Sequence, residues 1–103
     1  MHGIPQNALA LRVRELRRQG GRWLREQHER ANLSQRQLAA KVDADYYTLV
    51  SQLEPGRGRV PPDDYVVWAE ALNISPQEFA RAMMRFYDPV TYNILFEDRG
   101  SCP

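Results

Sequence analysis

The chain has 103 residues, 43% hydrophobic and 26% charged, with a formal net charge of +1 at pH 7. That length suits one domain around a single core, and the composition is that of a globular chain, not a disordered one. A single cysteine, Cys102, excludes an internal disulfide and a cysteine-based metal cluster, and reads as an untuned thiol in a reducing compartment.

No apolar run approaches the roughly 20 residues that cross a bilayer. Met1-His2-Gly3-Ile4-Pro5 has neither the basic start nor the apolar stretch of a secretory signal, so a soluble cytoplasmic protein is expected. The small net charge hides an asymmetry. Residues 1–60 hold 11 Lys/Arg against 6 Asp/Glu, and residues 61–103 hold 3 against 7. A basic N-terminal part can face phosphates while the acidic remainder faces away.

Residues 6–19 place Leu9, Val13 and Leu16 at i, i+4, i+7 among Arg12, Arg14, Arg17 and Arg18. This predicts an amphipathic helix that Gly20-Gly21 ends. A second helix is expected from about Arg22 to Ala31, burying Trp23, Leu24 and Ala31. Ser34-Gln35-Arg36-Gln37 is a capping box and opens a short helix, Gln35 to about Lys41, with Leu38, Ala39 and Val42 inward. After a turn through Asp43-Ala44, Asp45 caps a helix Tyr46–Glu54 that Pro55-Gly56 stops.

Pro62, with Asp63 and Asp64, suits the start of a further helix that buries Tyr65, Val66, Trp68, Ala69 and Leu72. Ser75-Pro76-Gln77-Glu78 starts another, carrying Phe79, Met83, Phe86 and Tyr87 to Pro89. Residues 90–96 are apolar and β-prone, and are expected as a short strand or an ordered tail. The predicted class is all-α.

On the helix Tyr46–Glu54, an α-helical wheel puts Tyr46, Leu49, Val50 and Leu53 on one stripe and Tyr47, Thr48, Ser51 and Gln52 on the opposite one. The first stripe packs inward. The second carries hydrogen-bonding side chains without charge, which suits either an ordinary solvated face or one that reads base edges in a major groove.

These residues sit in a longer series: Leu24-Arg25-Glu26, then Asn32-Leu33-Ser34-Gln35-Arg36-Gln37-Leu38-Ala39, then Val50-Ser51-Gln52-Leu53-Glu54-Pro55-Gly56, then Trp68-Ala69-Glu70-Ala71-Leu72-Asn73-Ile74-Ser75. Over residues 22–80 the chain resembles the Cro/C1-type (XRE) helix-turn-helix family of transcriptional regulators. The resemblance implies a five-helix Cro/C1 repressor-like domain at 21–87, with an extra N-terminal helix at 1–20 and a short C-terminal tail at 88–103. It also implies a bacterial or phage protein of the nucleoid that binds double-stranded DNA as a homodimer. Base reading falls to Tyr47, Thr48, Ser51 and Gln52, with Gln52 suited to adenine and Thr48 to a thymine methyl. Phosphate binding falls to Ser34, Gln35, Arg36, Lys41, Arg57 and Arg59, the start of the Gln35 helix adding free N–H groups. No cofactor and no metal site is expected.

Three departures from the family pattern stand out. Between Ala39 and Glu54 there is one residue more than the commonest spacing, expected among positions 43–46, and the usual turn glycine is Asp43. His28 stands where many members have an arginine that pairs with the residue matching Glu54, so a His28–Glu54 pair or a simply packed histidine follows. Gln27 is polar where the family is apolar, and Trp23 can compensate.

The C-terminal apolar segment can dimerise or fold back on its own core. The N-terminal helix can dock, dimerise, bind a partner or bring its arginines to DNA. A transcriptional repressor is the leading expectation, and a protein-interaction module such as an antitoxin or antiactivator, working through the terminal segments, is the alternative. An enzyme is not expected: His2 and His28 are the only histidines, and no phosphate-binding glycine loop or HExxH spacing occurs.

Overall fold

The computed structural model describes residues 6–96, and the regular structure of these is helical throughout. Met1–Pro5, the side chain of Leu9, and residues 97–103 with Cys102 lie outside the described residues. The order is α1 (Gln6–Arg30), α2 (Gln35–Lys41) and α3 (Tyr46–Thr48), which runs without a break into a π-helical turn (Leu49–Leu53). A 3-10 turn (Pro62–Asp64), α4 (Tyr65–Leu72), α5 (Pro76–Tyr87) and α6 (Pro89–Phe96) follow.

Gly20-Gly21 does not end a helix. α1 is continuous over 25 residues, so the two helices expected on either side of the pair are one, and the boundary expected at residue 20/21 falls inside it. Both glycines are buried. A Cβ on Gly21 would stand 1.9 Å from the carbonyl oxygen of Glu54, and one on Gly20 would stand 3.0 Å from the Cβ of Phe86. The pair is a notch that lets two other segments reach the α1 backbone. Gly56, at φ +88°, completes the approach from the other side, since a Cβ there would lie 2.6 Å from the Arg17 carbonyl oxygen. Glycine's propensity cost in a helix is accepted because nothing larger fits.

Three helices end in the same way. Asn32 (φ 60°), Asp43 (φ 55°) and Asn73 (φ 66°) take the left-handed conformation just past α1, α2 and α4. The next residues, Leu33, Ala44 and Ile74, donate their N–H groups back to His28, Ala39 and Ala69 at 2.8, 2.8 and 3.0 Å. Each of these three also packs against the core, as this terminating motif favours. Asp43 therefore takes the backbone conformation that a glycine adopts most freely.

Leu24, Leu38, Leu49, Val60, Phe79 and Met83 are fully buried and join α1, α2, the π turn and α5 in one core. Phe79 is its centre: Tyr65 meets it edge-on at 5.5 Å, with Trp23 at 5.8 Å and Trp68 at 6.3 Å. Gln27 is buried at the edge of this core and Trp23 packs beside it, while Val66, expected inward, is exposed. Arg17 and Arg59 place their guanidinium groups over the ring of Tyr87. Burial pushes the Tyr87 phenol above its ordinary range, and among the described residues its hydroxyl has no hydrogen-bond partner.

The C-terminal segment is a helix, not the expected strand or tail. Pro89 opens α6, Tyr92 donates to the Asp88 carbonyl at 2.9 Å, and the helix folds back along α5, with Arg81 over the Phe96 ring. Among the described residues there is no strand for it to pair with. A helix satisfies its own backbone groups, and that outweighs β-propensity.

Replacing Gly21 by Ala separates the two readings of the glycine pair. A helix-breaking glycine would gain stability from alanine, by about 1 kcal/mol. The close approach instead requires a loss of about 1–3 kcal/mol or more in urea denaturation, because the obstacle is the Glu54 backbone, which cannot rotate away.

Candidate nucleic-acid interface

The N-terminus of α2 is built by its sequence. Ser34 Oγ accepts from the Gln37 N–H at 3.1 Å and Gln37 Oε1 accepts from the Ser34 N–H at 2.8 Å, the capping box read from the sequence. Val42–Asp45 then turns the chain, and Asp45 Oδ1 accepts from the Tyr47 N–H at 3.0 Å to start α3. The helix that follows, 46–53, lies against α2 through Leu49 and Leu53, both buried.

Its second half is irregular. The Glu54 N–H donates to the Leu49 carbonyl, five residues back, at 3.2 Å, so Leu49–Leu53 holds one residue more than an α-helical turn does. The π turn also moves side chains around the axis. Val50, expected inward, is half exposed, and Ser51, expected outward, is half buried. Ser51 Oγ donates to the Tyr47 carbonyl within the same helix, and its own carbonyl accepts from Arg57 Nη1 at 2.9 Å. Tyr47 (72% exposed), Thr48 and Gln52 remain open to solvent.

One polar network fixes this helix against the rest. The Glu54 carboxylate, directly after the π turn, accepts from Gln35 Nε2 at 2.6 Å through Oε1, and its Oε2 lies 2.8 Å from His28 Nε2. The other ring nitrogen of His28, Nδ1, donates to the Leu33 carbonyl at 2.9 Å. The His28 and Glu54 side chains are only 5% and 9% exposed. Three segments, α1, the start of α2 and the end of the 46–53 helix, are thus joined through one carboxylate.

The cationic candidates divide. Arg36 stacks over the Tyr46 ring at 4.3 Å, and Arg57 reaches over the end of the 46–53 helix, so both flank the exposed face. Gln35 sits beside them, but its amide faces Glu54. Lys41 lies at the other end of α2, beside Val67, Glu70 and Ala71. Arg59 pairs with Asp88 at 3.1 Å. The neighbouring Tyr65, then the Asp88 carboxylate, raises its guanidinium above the ordinary range despite partial burial, and the Asp88 pair binds it to the scaffold.

The Gly21–Glu54 approach, the π turn and the Arg36–Tyr46 stack escape a reading of the sequence. Only the first leaves a trace there, as the apolar helical pattern continues across Gly20-Gly21 without changing phase. Among the described residues, no group of three or more His, Cys, Asp or Glu side chains gathers as for a metal ion, and no helix is long and apolar enough to cross a membrane. Compared with family models, curated proteins and solved structures, the chain matches none.

Glu54→Ala leaves the buried His28 and the half-buried Gln35 without their shared partner. Its expected cost is about 3 kcal/mol in denaturant unfolding, the scale of a broken buried pair. A change under about 1 kcal/mol, the level of an exposed ion pair, would show that the network does not hold these segments together.

Proposed function

We propose that this chain is a sequence-specific double-stranded DNA-binding regulator of transcription, a repressor of the Cro/C1 type, that inserts the 46–53 helix into the major groove. The observation that carries this reading is the pairing of an uncharged, hydrogen-bonding face with a rigid mount. Tyr47, Thr48 and Gln52 are exposed together on a helix whose other side is buried and whose end is held by Glu54.

Gln52 has the amide that matches adenine's donor and acceptor, Thr48 has a methyl for thymine, and Tyr47 reaches a base or a phosphate. Ser51 contributes less, because its hydroxyl proton is engaged by the Tyr47 carbonyl. Arg36, Arg57 and the N–H groups at the start of α2 position the backbone. Lys41 and Arg59 are weaker candidates for the same role, one at the far end of α2 and the other bound to Asp88.

Selection from a random duplex library tests the reading. The wild type should favour its selected site over random DNA by well over tenfold. Thr48→Ala with Gln52→Ala should weaken selected-site binding at least about tenfold, since one good base contact is worth about 1–3 kcal/mol, while random-duplex binding stays level. A preference under about tenfold in the wild type sinks the specific-regulator reading.

Dimerisation is assigned to α6. Val90, Ile94, Leu95 and Phe96 are exposed, Ile94 at 74%, and the helix carries no acidic or basic residue. In a two-fold contact a patch meets its own copy, so a charged face repels itself and this one does not. Sedimentation of Ile94→Asp should give a monomer with the wild-type helix content. Should the variant stay dimeric, α6 is not the interface, and capture of a partner protein becomes the better account of its apolar surface.

A further inference from the structure

The arginines of α1 before its glycine notch have no role in the scaffold or in the interface described so far, Arg17 excepted. Between Ala10 and Gly20 the helix carries Arg12, Arg14, Arg17 and Arg18 against one carboxylate, Glu15. Leu11 and Val13 are exposed there too, so burial does not account for this stretch of helix.

Arg14, Arg18 and Arg22 recur at i, i+4 and i+8 and are all exposed. At 3.6 residues per turn they form one stripe, with successive positions about 6 Å apart along the axis. On the helical wheel this stripe borders the edge made by Arg17, Gly21 and His28, and that edge abuts Glu54 and Gly56. The approach is close, since a Cβ on Gly56 would lie 2.8 Å from the Arg18 backbone nitrogen. The stripe therefore emerges beside Gly56-Arg57, where the 46–53 helix ends.

We propose that Arg14, Arg18 and Arg22 form a rail for the DNA phosphate backbone, continuing the contact made at Arg57 along the strand that flanks the half-site. This rests on the DNA-binding reading above and deepens it. Three features support a polyanion as the occupant. Like charges at i, i+4 oppose helix formation when alone, and phosphates placed between them reverse that opposition. Their spacing of about 6 Å is close to two phosphates of axial rise, at about 3.4 Å per phosphate on one strand. The Arg18–Glu15 pair, at 2.9 Å with both side chains about half exposed, is a weak contact that a phosphate displaces. The i, i+4 series stops at Arg22, because its next position is Glu26, an exposed carboxylate.

The test is a salt titration of full-length protein on a mixed-sequence duplex of about three helical turns, read by fluorescence anisotropy. Arg14→Gln, Arg18→Gln and Arg22→Gln combined should make the slope of log K against log salt shallower by about 2–3, since each phosphate contact contributes about 0.9. The preference for a selected site over random duplex should not change, because phosphate contacts carry no sequence information. Circular dichroism of the variant should match the wild type. Glu15→Gln should act with the opposite sign, binding more tightly at about 50 mM salt. An unchanged slope in the triple variant, or weaker binding by Glu15→Gln, overturns the rail while the wild type still binds. A wild type that binds no duplex at any salt overturns the DNA-binding reading together with it.

Discussion

The approach of α1 to the end of the 46–53 helix sets the geometry of everything around it. The Glu54 carbonyl reaches a point that the first side-chain carbon of any residue but glycine at position 21 would occupy. With the two backbones this close, His28, seven residues further along α1, comes within hydrogen-bond distance of the Glu54 carboxylate. The same carboxylate then holds Gln35 and, through it, the first turn of α2. A side chain at Gly21 or Gly56 would separate the backbones and lengthen these contacts together. The steric constraint comes first, and the polar network depends on it.

That dependence also explains how an irregular helix persists at an exposed site. A π turn has poorer local geometry than an α turn and survives where its surroundings over-determine it. Here Leu49 and Leu53 are both buried, so each end of the turn is anchored in the core. The Arg57 and Gly58 N–H groups both donate to the Gln52 carbonyl, at 2.7 and 3.0 Å, closing the end that the wider turn leaves open. The consequence is a different outward face. Ser51 rotates toward its own helix, and Tyr47, Thr48 and Gln52 remain exposed to solvent.

Local signals were the most legible part of the sequence. Ser34 with Gln37, Asp45, and Ser75 with Glu78 all act as caps, because capping depends on residues three apart or fewer and on little else. The aromatic and aliphatic stripe of α5 was readable for a similar reason, as its period survives in the sequence. What failed to show there depends on distant residues. A glycine pair looks the same whether it breaks a helix or admits a neighbour, and only Glu54, 33 positions away in the chain, decides between them. Val66 has the hydrophobicity of a core residue yet lies outside the buried arc of α4, which Trp68, Ala69 and Leu72 already fill. Residues 90–96 have strand-forming side chains but pack against a helix. On the 46–53 helix the residue types were legible and their directions were not, since the wider π turn rotates Ser51 inward without altering the sequence pattern.

The overall dimensions bear on how two copies would meet DNA. The body measures 49 × 32 × 22 Å, and the long dimension accommodates α1, which at 25 residues is about 37 Å in length. Two-fold half-sites in major grooves on one face of a duplex lie about 34–36 Å apart. On the proposed reading, two bodies set side by side across their 32 Å dimension would come close to that separation with no linker between them. An interface at α6 is then a matter of short apolar contact, which suits an uncharged helix of eight residues. The proposed α1 rail would then follow the backbone beyond the bases that the 46–53 helix is proposed to reach. On that reading affinity would come largely from arginines on α1 and beside the 46–53 helix, and specificity from the uncharged Tyr47, Thr48 and Gln52. The two properties respond to different perturbations, salt for the first and base substitution for the second.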